Sequence, residues 1–195
     1  MENKITSLLL AGVGGQGILL ASDIICRVMM EKGYDVKKSE VHGMAQRGGC
    51  VTSHVRYGRK VYSPLAKRGD IDMIVAFEKL ESLRYLDYLR KGGRVFINDE
   101  EIYPPSVNLG EMDYPKGIVE SVRSQCGEDR VKVVHGPELA ARSGNRRNVN
   151  TVMLGALSGF IPEISPEDWK KVLVEMLPER IIKGNLLAFD FGRAA

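Results

Sequence analysis

The stretch ITSLLLAGVGGQGILLASDIICRVMMEKG, residues 5–33, decides the fold. Ile5 to Ala11 is an apolar run stopped by glycine, which reads as a strand buried on both faces. Gly12-Val13-Gly14-Gly15-Gln16-Gly17 then makes a tight loop. From Ile18 to Lys32 the residues Ile18, Ile25, Val28 and Met29 recur at roughly helical spacing, and Gly33 stops the helix. Tyr34 to Val41 reads as a second strand, so the chain opens as a βαβ unit.

Gly12, Gly14 and Gly17 match GxGxxG where that motif has a mechanism, after a strand and before a helix. Glycine allows the tight turn and lets a phosphate approach the backbone. The helix N-terminus adds unpaired N–H groups and about half a positive charge. Gly12, Gly14, Gly15, Gln16 and Gly17 are therefore candidate cofactor-binding residues. Glu40, at the end of the second strand, stands roughly where an acid grips a ribose in a dinucleotide fold. A structural reading stays open, in which the glycines only let helix and strand pack closely. Gln16 is likewise open between turning toward a ligand and capping the helix.

Working outward, Val51 to Tyr57 and Lys60 to Ser63 flank Gly58-Arg59, which suggests a hairpin or a strand pair at the sheet edge. Ile71 to Phe77 reads as a buried strand, Leu80 to Arg90 as a helix, Gly93 to Asn98 and Val131 to His135 as further strands. Tyr103 to Pro115, with three prolines and a glycine, reads as an irregular excursion. Val149, Val152, Met153, Ala156, Leu157 and Phe160 share one helical face. Ser165-Pro166-Glu167-Asp168 is a helix start, with a capping hydroxyl, proline in first place and acids in the first turn. Trp169, Val172, Leu173, Met176 and Leu177 form the stripe that follows. The fold class is α/β and Rossmann-like: a mostly parallel sheet flanked by helices, with an edge hairpin and a helical C-terminal end. No internal repeat or linker interrupts residues 1–195, so one domain is expected.

Bulk composition narrows the function classes. The chain has 195 residues, of which 44% are hydrophobic and 27% charged, the composition of a globular domain rather than a disordered one. A net charge of +3 is too small to imply a nucleic-acid or membrane partner. The opening Met1-Glu2-Asn3-Lys4 and the short apolar run after it suit neither a signal peptide nor a membrane span. The three cysteines, Cys26, Cys50 and Cys126, are widely spaced and form no CxxC, so they offer no cluster or zinc ligand run. A reducing, cytoplasmic location is expected.

Ser39-Glu40-Val41-His42-Gly43-Met44-Ala45-Gln46-Arg47-Gly48-Gly49 is the most unusual passage: polar, glycine-rich, with both signs of charge, between two strands. Loops at the C-terminal edge of such a sheet are where α/β proteins place their chemistry. Arg47 can clamp a phosphate or carboxylate with its planar fork, or pair internally with Glu40. His42 can serve as acid or base, but no second catalytic group lies at a diagnostic spacing. Cys50 and His54, four apart on a strand, share a face. A nucleophilic pair would also need reach, exposure and an orienting third group, none of which the spacing provides.

Together, GVGGQG at 12–17, SEVHGMAQRGG at 39–49 and SHVRYG at 53–58 resemble the gamma-type subunit or domain of the 2-oxoacid:ferredoxin oxidoreductases. Asn148 to Pro162, with Asn150 and Leu154-Gly155-Ala156-Leu157, and Asn185 to Phe189 fit as well, so the resemblance spans nearly the whole chain. It implies a part in oxidative decarboxylation of a 2-oxoacid such as indolepyruvate to an acyl-coenzyme A, with electrons passed to ferredoxin. It implies that this chain alone holds no cofactor. Thiamine diphosphate, Mg2+ and 4Fe-4S clusters would belong to a large partner subunit, with coenzyme A a candidate ligand at the interface. Gly12 to Gly17 and the loop from His42 to Arg47 would face the partner or ligand, and no catalytic residue carries over. A free-standing dinucleotide-binding dehydrogenase or nucleotide-binding module is the competing expectation. Expressed without its partner, such a subunit could pair with itself through an uncovered apolar patch.

Overall fold

In the computed structural model, residues 4–43 and 49–195 are described, without the side chain of His42. Strands β1 (Ile5–Val13), β2 (Asp35–His42), β3 (Cys50–Gly58), β4 (Ile71–Ala76), β5 (Leu89–Asn98) and β6 (Val131–Val134) form one sheet in the order β2-β3-β1-β4-β5-β6. β1, β4, β5 and β6 run parallel, whereas β3 is antiparallel to both β1 and β2. The helices are α1 (Ile18–Glu31), α2 (Lys79–Arg84), α3 (Pro105–Asn108), α4 (Ile118–Cys126), α5 (Gly136–Arg142), α6 (Val149–Ser158), α7 (Pro166–Met176) and α8 (Glu179–Ala194).

Alternation along the strands divides the core in two. Leu8, Leu10, Val75 and Phe96 point to one face, where α1, α6, α7 and α8 bring Ile25, Met153, Trp169 and Phe189. Leu9, Ile74, Val95 and Ile97 point to the other, against Leu80 and Leu83 of α2 and Ile118 and Val122 of α4. A continuous apolar run is therefore what a central strand with both faces covered requires. The helix start read at Ser165 is a full capping box, with the Ser165 hydroxyl accepting from the Asp168 amide and the Asp168 carboxylate accepting from Ser165 N–H.

Two expectations change. The edge hairpin is formed by β2 and β3, not by a return strand after Gly58-Arg59. The flank of β3 where Lys60–Ser63 would pair is already occupied by β2; instead Val61 N–H donates to Asp35 and Arg56 donates to the Ser63 and Leu65 carbonyls. The helix expected to run to Arg90 ends at Arg84, passes through a 3-10 turn at Leu86–Tyr88, and β5 begins at Leu89. Tyr85, Leu86, Tyr88 and Leu89 all pack under the second core, so burial overrides helical continuation there. Among the described residues, no helix is long and apolar enough to cross a membrane.

α6 and α8 cross closely because of glycines. A side chain at Gly192 would strike the Val152 carbonyl, and one at Gly155 the Phe189 carbonyl. Backbone atoms cannot swing aside as a side chain can. Gly192→Ala is accordingly expected to cost about 1–3 kcal/mol of stability, read from the denaturant midpoint, through overpacking; an unchanged midpoint would show that the two helices are not held this close.

Candidate functional site

In a parallel sheet, neighbouring strands whose connections leave in opposite directions open a crevice at their C-terminal ends. Here those strands are β1, whose chain leaves toward β2 and β3, and β4, whose chain leaves toward β5. Gly12 and Val13 end β1 on one side of the crevice, and Phe77 and Glu78 follow β4 on the other.

Gln16 shapes the loop between them. Its side chain folds inward: Oε1 accepts from Val13 N–H at 2.8 Å, and Nε2 donates to the Phe77 carbonyl at 2.7 Å and to Glu100 at 3.1 Å. Asn98 Nδ2 donates to the same carbonyl and the same carboxylate, at 2.8 and 2.9 Å. Gly12 makes room for this arrangement, since a Cβ there would lie 2.6 Å from Gln16 Oε1 and 2.8 Å from Phe77 Cβ. Gln16 thus neither caps α1 nor faces outward. Its work is to tie β1 to the ends of β4 and β5. Gly17 then turns the chain into α1 with φ 75°, a left-handed conformation that suits glycine. Gly14 and Gly15 are exposed, and Gly14 N–H donates to the Gly49 carbonyl at 3.1 Å. The first-turn amides of α1 have no intrahelical acceptor, so the loop offers backbone N–H groups suited to an oxyanion of the phosphate class.

The remaining candidates lie apart. β3 separates β2 from β1, so Glu40, paired opposite Ser53, stands two strand spacings or about 10 Å from β1. Its carboxylate is ion-paired with Lys38 at 2.6 Å. A dinucleotide fold needs its ribose-binding acid on the strand next to the glycine loop, and here that place belongs to β3. The backbone of His42 pairs opposite Val51 at the end of β2. Arg47 lies outside the described residues.

Cys50 and His54 share a face of β3 but serve different neighbours. Cys50 Sγ donates to Glu81 at 2.9 Å and lies 3.1 Å from the Tyr85 hydroxyl. Burial, followed by the Glu81 carboxylate, pushes the Cys50 thiol up to about 11. Glu81, itself buried and 3.3 Å from Arg84, has its carboxyl raised chiefly by desolvation. His54 stacks edge-on against Tyr88, and burial lowers its pKa, so it is neutral near pH 7. Val13, Gly49, Cys50, Glu78, Glu81 and Tyr103 line part of a cavity of about 350 Å³ beside the glycine loop. Glu78, 1% exposed, accepts from the Glu81 and Ile102 amides and from the Tyr114 hydroxyl. Sequence reasoning missed these carboxylates; acids directly after a buried strand were the available signal.

A 4Fe-4S cluster needs four thiolates, and the three cysteines sit on α1, β3 and α4. Among the described residues, no three His, Cys, Asp or Glu side chains converge on a metal position. The cysteines of the described residues do not fit such a cluster.

Residues 7–195 match the family model described as pyruvate ferredoxin/flavodoxin oxidoreductase. The chain is 38% identical over 192 residues to the indolepyruvate oxidoreductase subunit IorB of Thermococcus kodakarensis, covering 95% of this chain and 93% of that one. It superposes on the pyruvate oxidoreductase subunit PORC of Thermotoga maritima with a TM-score of 0.74 at 23% identity, over 98% of this chain and 96% of that one. A 2-oxoglutarate:ferredoxin oxidoreductase chain from Magnetococcus marinus matches with a TM-score of 0.72 at 24% identity, over 99% of this chain but 31% of that longer one.

With its pKa at about 11, Cys50 holds only about one thiolate in ten thousand at pH 7. Alkylation of the Cys50 peptide, followed by mass spectrometry, should be slow at pH 7 and accelerate about tenfold per pH unit up to pH 10. A rate that levels off below pH 9 would contradict the buried-thiol assignment and revive Cys50 as a nucleophile.

Proposed function

This chain belongs to the pyruvate ferredoxin/flavodoxin oxidoreductase family and is a subunit of a 2-oxoacid:ferredoxin oxidoreductase, and on that premise we propose that the oxo acid is indolepyruvate. The observation that carries the choice of substrate is the 38% identity to the IorB subunit over 95% of the chain. The complex would convert indolepyruvate and coenzyme A to the acyl-coenzyme A and carbon dioxide, passing two electrons to ferredoxin.

In this reading residues 1–195 form one gamma-type domain in a cytoplasmic complex. Thiamine diphosphate, Mg2+ and the 4Fe-4S clusters belong to a large partner subunit, which supplies decarboxylation and electron transfer. The scatter of cysteines across three elements supports that division. This chain contributes binding surface: the loop Gly12 to Gly17, held in shape by Gln16, faces coenzyme A or the partner. Leu109 and Met112, 73% and 58% exposed, stand on the excursion after β5. An apolar surface of that kind is one a partner subunit would cover.

Co-expression with a large thiamine-dependent subunit is expected to give a brown complex that reduces ferredoxin with indolepyruvate and coenzyme A. The small chain alone should be colourless and inactive. A small chain that binds its own redox centre, or a complex that prefers 2-oxoglutarate or pyruvate, would overturn the assignment.

A further inference from the structure

Two loop segments on the α2–α4 side of the sheet carry opposite charge. The strap from β3 to β4, residues 59–68, has Arg59, Lys60, Lys67 and Arg68 and no acid. The excursion after β5, residues 99–115, has Asp99, Glu100, Glu101, Glu111 and Asp113 and neither lysine nor arginine. Ala66 of the strap and Tyr114 of the excursion both pack into the second core, so the two segments share one side of the sheet. They sit at its opposite ends. The strap leaves β3 at Gly58, opposite the first residue of β1, whereas the excursion leaves the C-terminal end of the parallel strand β5.

Much of this charge is not used within the chain. Asp99 and Glu101 share Lys79, and Glu100 accepts from Gln16 and Asn98. Arg59 and Lys67 on the strap, and Glu111 and Asp113 on the excursion, are exposed and form no ion pair among the described residues. Apolar side chains stand beside them: Tyr62, 82% exposed, with Leu65 on the strap, and Tyr103, Leu109 and Met112 on the excursion. These are five of the nine large apolar side chains exposed among the described residues, a concentration that marks an interaction surface. Both segments are already held in shape. Arg56 donates to the Ser63 and Leu65 carbonyls and Val61 N–H to Asp35, while the Tyr114 hydroxyl donates to Glu78 and the Asn108 amide to the Tyr103 carbonyl. Docking on them therefore costs little ordering.

We infer that this face binds a second copy of the chain, turned end for end, so that each strap lies on the other's excursion. A two-fold axis across the strands exchanges the two ends of the face, and each patch meets its opposite twice. An axis along the strands would set strap on strap and acid on acid, so the charges also fix the orientation. Tyr62 and Leu65 then cover Leu109 and Met112, and the subunit that covers those two side chains is another small chain. The inference is independent of the oxo acid, because self-association is measured on the small chain alone.

Analytical ultracentrifugation of the full-length small chain tests it. Wild type should be a dimer at about 50 µM in low salt, and its dissociation constant should rise about tenfold or more at about 0.5 M salt, which screens the paired patches. Tyr62→Ala should weaken the pair about tenfold. Two charge-reversed variants, R59E/K67E and E111K/D113K, should each be monomeric while keeping the wild-type circular dichroism, since all four residues are exposed. Mixed in equal amounts they should dimerise again: the reversed strap of one meets the reversed excursion of the other, and the two unaltered patches meet as before. A monomeric wild type overturns the inference. So does a dimer that survives either reversal, or a mixture that stays monomeric.

Discussion

The crevice depends on one side chain being used inside the fold. Gln16 closes a bridge from the end of β1 to the carbonyl after β4 and the carboxylate after β5. Two of those bonds reach partners more than sixty residues away in sequence, so they fix the relative height of three strand ends. With its own polar groups satisfied inward, Gln16 leaves the outer surface of the loop to backbone. That surface can receive an oxyanion without contributing any side chain that could catalyse a reaction.

The sequence was legible where the determinants are local. The glycine-bounded apolar run, the helical spacing after Gly17 and the capping residues around Ser165 each set their element from within a few residues, and all three stand in the structure. It was less legible where a strand's partner decides the outcome. Asp35–His42 reads equally well beside β1 or beyond β3, because pairing is set by the whole sheet; its polar, half-exposed residues suit the outer position they occupy. α8 was foreseen only as part of a helical end, since its Gly184 and Gly192 weaken the helical signal that close packing on α6 restores.

The candidate site divides in the same way. GxGxxG located the crevice, but it could not tell which way Gln16 points, because Phe77 and Glu100 are remote in sequence. Asn150 and Gly17 meet only because α6 returns to α1, a contact that spacing along the chain cannot reveal. Cys50 and His54 were placed on one face, and they are, yet Glu81, Tyr85 and Tyr88 claim them separately. Burial raises the pKa of that thiol and lowers that of the imidazole.

If the inward turn of Gln16 holds the loop, removing its amide should loosen everything the amide ties. Hydrogen–deuterium exchange on the assembled complex carrying Gln16→Ala tests this directly. Exchange should rise about tenfold or more over residues 12–20 and at the strand ends near 77 and 98–100, with the β2–β3 pairing unaffected. Unchanged protection over residues 12–20 would show that the loop keeps its form without Gln16, and the account built on that tie would fail.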